Sequence, residues 1–291
     1  MTNEKKAGIV ALIGRPNVGK STLLNNILGH KVSITSPKPQ TTRFNIQAVY
    51  EDERGQIIFV DTPGIFGKVE DALAKRINMR AEESLSGGVD LVLYMVDHTR
   101  EKDFEENKAL GIVRKVKAPK ILVINKTDVK KPTHIVQYKF MEDEFDTVVE
   151  ISALAHKNLN TLLAAIFDYL PEGKPQVDTK TLVQPGLNID SRIFISEIIR
   201  EKAFLFLRKE VPYTLATIVD DVVERDNGTV YIKARILTSA DRYKAMIIGK
   251  GGAMIKEISQ AARKELETAT SKKVYLELTV ETDPHWMEYI G

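Results

Sequence analysis

The octapeptide Gly14-Arg15-Pro16-Asn17-Val18-Gly19-Lys20-Ser21 lies between a short apolar run, 8–13, and a segment of helical spacing, 21–28. It matches the phosphate-loop pattern at every specified position, and it follows a predicted strand and opens a predicted helix, as that mechanism requires. The chemistry accounts for the residue types. Glycines let the backbone bend and bring N–H groups close to phosphate oxygens. The following helix adds the positive end of its dipole. Lys20 places a point charge on the β- and γ-phosphates, and the Ser21 hydroxyl is offered to Mg²⁺. All eight residues are expected to contact a nucleotide.

Working outward, the runs 56–60, 89–96 and 120–124 are brief, rich in Val, Ile and Leu, and closed by polar clusters. Such runs read as strands buried on both faces of a parallel sheet. Between them, 69–84, 103–115 and 131–145 have helical spacing, and a last helix over 160–170 is stopped by Pro171. The alternation predicts a three-layer α/β domain with a mostly parallel sheet and helices on both faces. Pro171-Glu172-Gly173-Lys174-Pro175 and Pro185-Gly186 mark a linker. The expected division is 1–172, a linker over 173–190, and a second domain over 191–291.

Two further motifs stand at predicted strand ends, where ligands bind in a doubly wound sheet. Asp61-Thr62-Pro63-Gly64 closes the run 56–60. Asp61 can hold Mg²⁺ through a water, and the Gly64 N–H can sense a γ-phosphate. Asn125-Lys126-Thr127-Asp128 closes the run 120–124. An aspartate here accepts two hydrogen bonds from the N1–H and exocyclic amine of guanine. Adenine lacks the N1–H and leaves a buried carboxylate unpaired, which discriminates strongly. The expected nucleotide is therefore GTP and not ATP. Two supporting sites carry weaker signals. In the aperiodic stretch 36–43 a threonine can reach Mg²⁺ when a γ-phosphate is present, Thr42 being preferred and Thr41 its rival. Ser152-Ala153, after the strand-like 147–151, can offer backbone N–H groups to the guanine O6.

The last hundred residues differ in pattern. A helix over 192–209 is ended by Pro212, and two β-rich stretches, 213–223 and 229–237, flank Asp226-Asn227-Gly228, a hairpin-turn signal. Residues 245–248, the turn Gly249-Lys250-Gly251-Gly252, a helix over 254–269 and a strand over 273–280 follow. The order is α-β-β-α-α-β. From 228 to 275 there are ten Lys and Arg against four Asp and Glu, a local +6. Lys233, Arg235, Arg242, Lys244, Lys250 and Lys256 are the candidate phosphate contacts. Ile248, Ile255 and Ile258 belong either to an apolar groove beside the loop or to the core.

Composition narrows the field. Across 291 residues, 42 Lys and Arg face 40 Asp and Glu, giving +2, so no global field announces a nucleic-acid partner. There is no cysteine, which excludes thiolate metal sites, disulfides and cysteine nucleophiles. The five histidines, at 30, 98, 134, 156 and 285, lack zinc-ligand spacing. With no apolar run of bilayer length and no cleavable leader, a cytoplasmic protein is expected.

The series GRPNVGKS at 14–21, TTR at 41–43, DTPG at 61–64, NKTD at 125–128 and SA at 152–153, followed by IIGKGG at 247–252, resembles the Era GTPases over nearly the whole chain. The resemblance implies a Ras-like GTPase domain joined to a type II KH domain, Mg²⁺-dependent hydrolysis of GTP to GDP by water, and binding to the 3′ end of 16S ribosomal RNA during 30S subunit assembly. It also implies peripheral association with the inner membrane, and a monomer is expected. Lys20, Thr42 and Gly64 would then be the catalytic groups. Ras-like enzymes orient the attacking water with a glutamine after the DxxG motif; Ile65 stands there in this sequence, so slow turnover is expected. Similar GTPases with an asparagine at the position of Asn17 bind K⁺ in place of an arginine finger, so K⁺ is a second candidate cofactor. In KH domains the GxxG loop, here 249–252 with Ile248 beside it, clamps about four unpaired nucleotides. A rival reading gives the C-terminal unit an anionic lipid or protein partner.

Overall fold

The computed structural model describes residues 5–29, 46–61, 88–178, 191–270 and 272–289. The described residues up to 178 belong to one compact unit and those from 191 to a second. In chain order the first contains β1 (Lys6–Ile13), α1 (Lys20–Leu28), β2 (Ile46–Asp52), β3 (Gly55–Asp61), β4 (Leu91–Asp97), α2 (Phe104–Lys115), β5 (Lys120–Asn125), α3 (Ile135–Lys139), β6 (Thr147–Glu150) and α4 (Leu159–Tyr169). Their strands make one sheet in the order β2-β3-β1-β4-β5-β6. β1 pairs in parallel with both β3 and β4, β5 continues beside β4, and β6 closes the far edge. β4 is buried along its whole length, the mark of a central strand covered on both faces.

This topology places the site. β1 is flanked by strands reached in opposite directions, so a crevice opens at its carboxyl end, where the loop from Gly14 begins. Leu12 is in register with Asp61, Ile13 with Tyr94, and Asp97 with Asn125, so each polar motif leaves the sheet at the same edge.

Three expectations change. β2 was not anticipated: it is an edge strand antiparallel to β3, and its Tyr50 is half-buried between buried Val49 and exposed Glu51, so no clean alternation marks it. The helix expected over 131–145 is a five-residue α3 and a 3-10 turn, Glu142–Glu144. Pro132 has no N–H to donate, and the buried Tyr138 and Met141 stand three residues apart, which suits the tighter turn. The connection between 224 and 230 places only Gly228 at positive φ, 76°, so it is a longer turn than a two-residue hairpin. The helix expected over 69–84, and Thr41, Thr42, Thr62, Pro63, Gly64 and Ile65, lie outside the described residues.

The second unit contains α5 (Ser191–Phe206), β7 (Leu215–Glu224), β8 (Val230–Thr238), α6 (Asp241–Ile248), α7 (Ala253–Thr270), β9 (Val274–Thr282) and α8 (Trp286–Tyr289). β8 is central, antiparallel to β7 and parallel to β9. Ile232, Ala234 and Ile236 are buried on one face of β8. Ile258, Ala262 and Leu266, four apart on α7, form the stripe that a helix buries against such a sheet. Trp286 is fully buried, a packing anchor for the last turn. Among the described residues, no helix is long and apolar enough to cross a membrane.

Candidate functional site

The loop from Gly14 to α1 owes its shape to two residues at positive φ, Asn17 at 65° and Gly19 at 108°. Asparagine enters this region more readily than most side chains. Gly19 has a second reason: a Cβ there would lie 2.4 Å from Asn125 Nδ2. At Gly14 contact alone forbids a side chain, since a Cβ would meet the Met95 carbonyl oxygen at 2.3 Å. Pro16 and Val18 are buried beside them. Lys20 Nζ donates to the Gly14 carbonyl at 2.9 Å and the Arg15 carbonyl at 3.2 Å. Its ammonium thus folds onto its own loop.

Arg15 takes its place in the loop by backbone alone. Its side chain is fully buried and ion-paired with Glu106 at 2.7 Å and Asp103 at 2.7 Å. Only its backbone belongs to the loop; the guanidinium is spent on α2. Burial opposes its charge, but Glu106, Tyr138 and Asp103 together raise its pKa above the ordinary value.

At the other end, Asn125 ties three segments together. Its Nδ2 donates to the Val18 carbonyl at 2.7 Å, and its Oδ1 accepts from the Ala153 N–H at 2.8 Å. The Ala153 carbonyl accepts in turn from Asn26 Nδ2 on α1. Ser152 Oγ donates to Asp128 Oδ1 at 2.5 Å, which fixes the carboxylate at the end of the 125–128 turn. The Thr127 N–H donates to the Ile151 carbonyl at 3.1 Å, so the 125–128 turn and the 152–153 pair form one frame.

Sequence reasoning missed the support of this frame. Lys126, at φ 68°, reaches Asp97 Oδ2 at 2.5 Å, and Asp97 also accepts from the N–H and hydroxyl of Thr99. Burial alone would raise the Asp97 pKa; the bonds from Lys126 and Thr99 outweigh it and hold the carboxyl below its ordinary value. The buried His98 ring bonds the Lys126 carbonyl at 2.9 Å and Thr133 Oγ1 at 3.0 Å. The signal available was a polar Asp-His pair closing an otherwise apolar strand.

Two residues expected to serve a hard cation have their backbones at the same edge. Ser21 is in the first turn of α1, and the backbone of Asp61 closes β3 beside Leu12. A hydroxyl and a carboxylate suit Mg²⁺.

In the second unit, α6 ends at Gly249 with φ 73°, and Gly251 and Gly252 follow at 60° and 78°. Three left-handed residues in four require glycine and leave Lys250 exposed at the tip. Ile258 is core, whereas Ile248 and Ile255 are half-buried beside the loop. Arg242 and Lys256 are exposed, and Lys244 is half-buried. Lys233 and Arg235 do not join them. Strand parity turns both away from the buried Ile232, Ala234 and Ile236. The Arg235 guanidinium is also held by Asp220 at 2.8 Å and Glu281 at 2.8 Å, which neutralises its charge.

A family model described as a 50S ribosome-binding GTPase matches residues 9–126, and one described as a KH domain matches 210–287. The GTPase Era of Halothermothrix orenii is 41% identical over 288 residues, covering 98% of this chain and 96% of its own. The chain belongs to the Era GTPase family. The Era of Trichlorobacter lovleyi is likewise 41% identical over 288 residues, covering 97% of this chain and 94% of its own. An Era solved in complex with MgGDPNP and nucleotides 1506–1542 of 16S ribosomal RNA is similar in structure at a TM-score of 0.90 and 38% identity, covering 98% of this chain and 96% of that one. A variant of Aquifex aeolicus Era bound to GDP and AlF4⁻ gives 0.89 at 38%, with the same coverage. This Era-family chain is therefore a GTPase, with a Ras-like first domain and a KH domain after it.

Proposed function

We propose that this Era GTPase is a slow, GTP-operated switch that binds the single-stranded 3′ end of 16S ribosomal RNA through its KH domain and assists assembly of the 30S subunit. One observation carries the nucleotide half: Asn125 joins the phosphate loop at Val18 to the base-reading segment at Ala153. Residues 14–21, 61–65, 125–128 and 152–153 are read as one guanine-nucleotide site, with 1–172 as the switch, 173–190 as the linker and 191–291 as the RNA-binding domain.

Within that site Lys20 exchanges its hold on the Gly14 and Arg15 carbonyls for the β- and γ-phosphates. The loop N–H groups and the start of α1 cradle the same oxygens. Asp128 accepts from guanine, and the Ala153 segment stands beside it to receive O6. Ser21, Thr42 and, through water, Asp61 would hold Mg²⁺, which neutralises charge developing between the phosphates. The Gly64 N–H and Thr42 respond to the γ-phosphate, and Ile65 offers the attacking water no hydrogen bond, so turnover is slow. Asn17 is a candidate K⁺ ligand, although its left-handed φ already gives the loop a reason for asparagine. For RNA, the three positive-φ glycines let phosphates approach the 249–252 turn, Ile248 and Ile255 border the groove, and Arg242, Lys244, Lys250 and Lys256 supply charge. The working state is a cytoplasmic monomer that can visit the inner membrane peripherally.

The test is displacement of fluorescent GDP from the full chain, with binding of a 3′-terminal 16S RNA oligonucleotide followed alongside. GTP should displace the probe and ATP should not. Equal displacement by both would overturn the guanine site, and RNA affinity no better than that of a scrambled oligonucleotide would overturn the RNA half.

A further inference from the structure

The Arg15–Glu106 pair raises a physical question. Both side chains are fully buried, and the guanidinium Nε lies 2.7 Å from Glu106 Oε2. Removing two charges from water is costly, and a buried ion pair is weak evidence for stability because well-packed apolar side chains of similar volume commonly serve as well or better. Burial pushes the Glu106 carboxyl upward, with Arg15 and Tyr94 pulling it back. Something other than fold stability must favour the charges.

The surroundings indicate what. Asp103, the residue that caps α2 by accepting from the Glu106 N–H at 3.0 Å, takes the Arg15 Nη1 at 2.7 Å. Tyr94 on β4 donates its hydroxyl to Glu106 Oε1. Tyr138 on α3 accepts from Arg15 Nη2 at 3.2 Å and donates to the Arg100 carbonyl at 2.9 Å. Arg100 Nη1 donates to the Pro16 carbonyl at 3.2 Å. Two successive residues of the phosphate loop, 15 and 16, are thus fastened to the 100–106 segment. The residues that follow hold positive φ at Asn17 and Gly19, sparsely populated conformations that persist only where the surroundings over-determine them. The directional bonds run from Nη1 to the Glu101 carbonyl at 3.2 Å and from Nη2 to Tyr138, while Glu106 sits against Nε as a close charge without hydrogen-bond alignment. Together these ties can fix the path of the loop; an apolar pair, which has no preferred direction, cannot.

We propose that Arg15 and Glu106 are positioning residues that hold the phosphate loop in its binding shape, so that the buried pair serves nucleotide affinity and not the stability of the fold. The inference rests on the reading of 14–21 as the phosphate site.

The experiment compares the full-length chain with the double variant Arg15→Met/Glu106→Leu, which replaces the pair by apolar side chains. Thermal unfolding without nucleotide and the affinity and dissociation rate of fluorescent GDP are measured for both. The expected result is a Tm at or above that of the parent chain together with at least a tenfold loss of GDP affinity, carried by faster dissociation. Should the double variant not fold, Glu106→Gln, which keeps shape and an acceptor for Tyr94, carries the same comparison at a temperature where it is fully folded. Its Tm should fall because the buried guanidinium loses a carboxylate, and GDP binding should be tenfold weaker even where no unfolding occurs. GDP affinity within twofold of the parent's, or an affinity loss that only tracks a falling Tm, would overturn the positioning role. A parent chain that binds no GDP takes down the nucleotide-site reading and this inference with it, whereas a normal parent beside an unaffected variant takes down this inference alone.

Discussion

Asn125 donates its side-chain amide to the Val18 carbonyl at 2.7 Å, joining the end of β5 to the phosphate loop across 107 residues of sequence. The same side chain accepts from the Ala153 N–H, so its truncation leaves a buried carbonyl and a buried N–H unpaired. Unmade buried hydrogen bonds cost about 1–3 kcal/mol each. Asn125→Ala should weaken GDP and GTP alike by about 2–4 kcal/mol, or roughly 30- to 1,000-fold. Fluorescent-GDP titration checks it; an unchanged dissociation constant would show that the bridge does not shape the site.

Asp128 is held by Ser152 Oγ at 2.5 Å, which fixes one carboxylate oxygen, and on the proposed reading the other faces guanine. Asp128→Asn keeps the shape but sets an amide N–H₂ against guanine's own donors. Affinity for GDP should fall by about 3 kcal/mol, roughly 100-fold. Xanthine, which carries a carbonyl in place of the exocyclic amine, should lose far less, so competition by GDP and XDP reads the change directly. A variant that still prefers GDP would remove Asp128 from base reading.

The buried Asp97 carboxyl predicts an acid limb in stability. Lys126 and Thr99 hold its folded pKa below 3.8, the ordinary value. A depressed carboxylate stabilises the fold above its unfolded pKa, and that contribution disappears as pH falls through the folded value. Asp97→Asn should therefore lower Tm at pH 6–7, and the gap from the parent should narrow below about pH 4. A gap independent of pH between 7 and 3 would mean that the ionised form contributes nothing.

The chemistry-bearing motifs were legible because phosphate and guanine restrict residue type at fixed spacing. Lys20 opens α1, Asn125 ends β5 with Asp128 in the turn after it, and Ser152 Oγ bonds Asp128. Less legible was whether a motif residue acts by side chain or by backbone, and Arg15 is the instance: it fills an unspecified position of the pattern, and its guanidinium pairs with Glu106 on α2. Charge counting likewise grouped Lys233 and Arg235 with Lys250, whereas strand parity separates them and Asp220 and Glu281 neutralise Arg235. Edge strand β2 was hidden by its mixed pattern. His98 and Asp97 carry no motif; only the fold brings them beneath Lys126.

Asn17 permits a test of the K⁺ expectation separate from loop shape. If the side chain helps to hold K⁺ near the phosphates, kcat should rise at least tenfold in K⁺ over Na⁺ buffer, and Asn17→Gly, which keeps the positive φ at no steric cost, should abolish the difference. Equal rates in the two salts would leave Asn17 a purely conformational role.

The KH loop also calls for a careful choice of substitution. An aspartate at Gly249 would be confounded, because a Cβ there lies 2.7 Å from the Met254 Cβ and the backbone sits at φ 73°, so backbone strain and weaker RNA binding would arrive together. Lys250 is exposed and bears no such constraint. Lys250→Glu should leave thermal unfolding unchanged, since surface substitutions of this kind fall within about 0.5 kcal/mol. A lysine on a phosphate releases counterions, so the variant should bind single-stranded RNA about tenfold more weakly at low salt. Its log–log salt slope should also be shallower by about 0.7 for each phosphate that is no longer neutralised. Parallel lines of equal affinity for parent and variant would show that phosphates do not pass over the 249–252 turn.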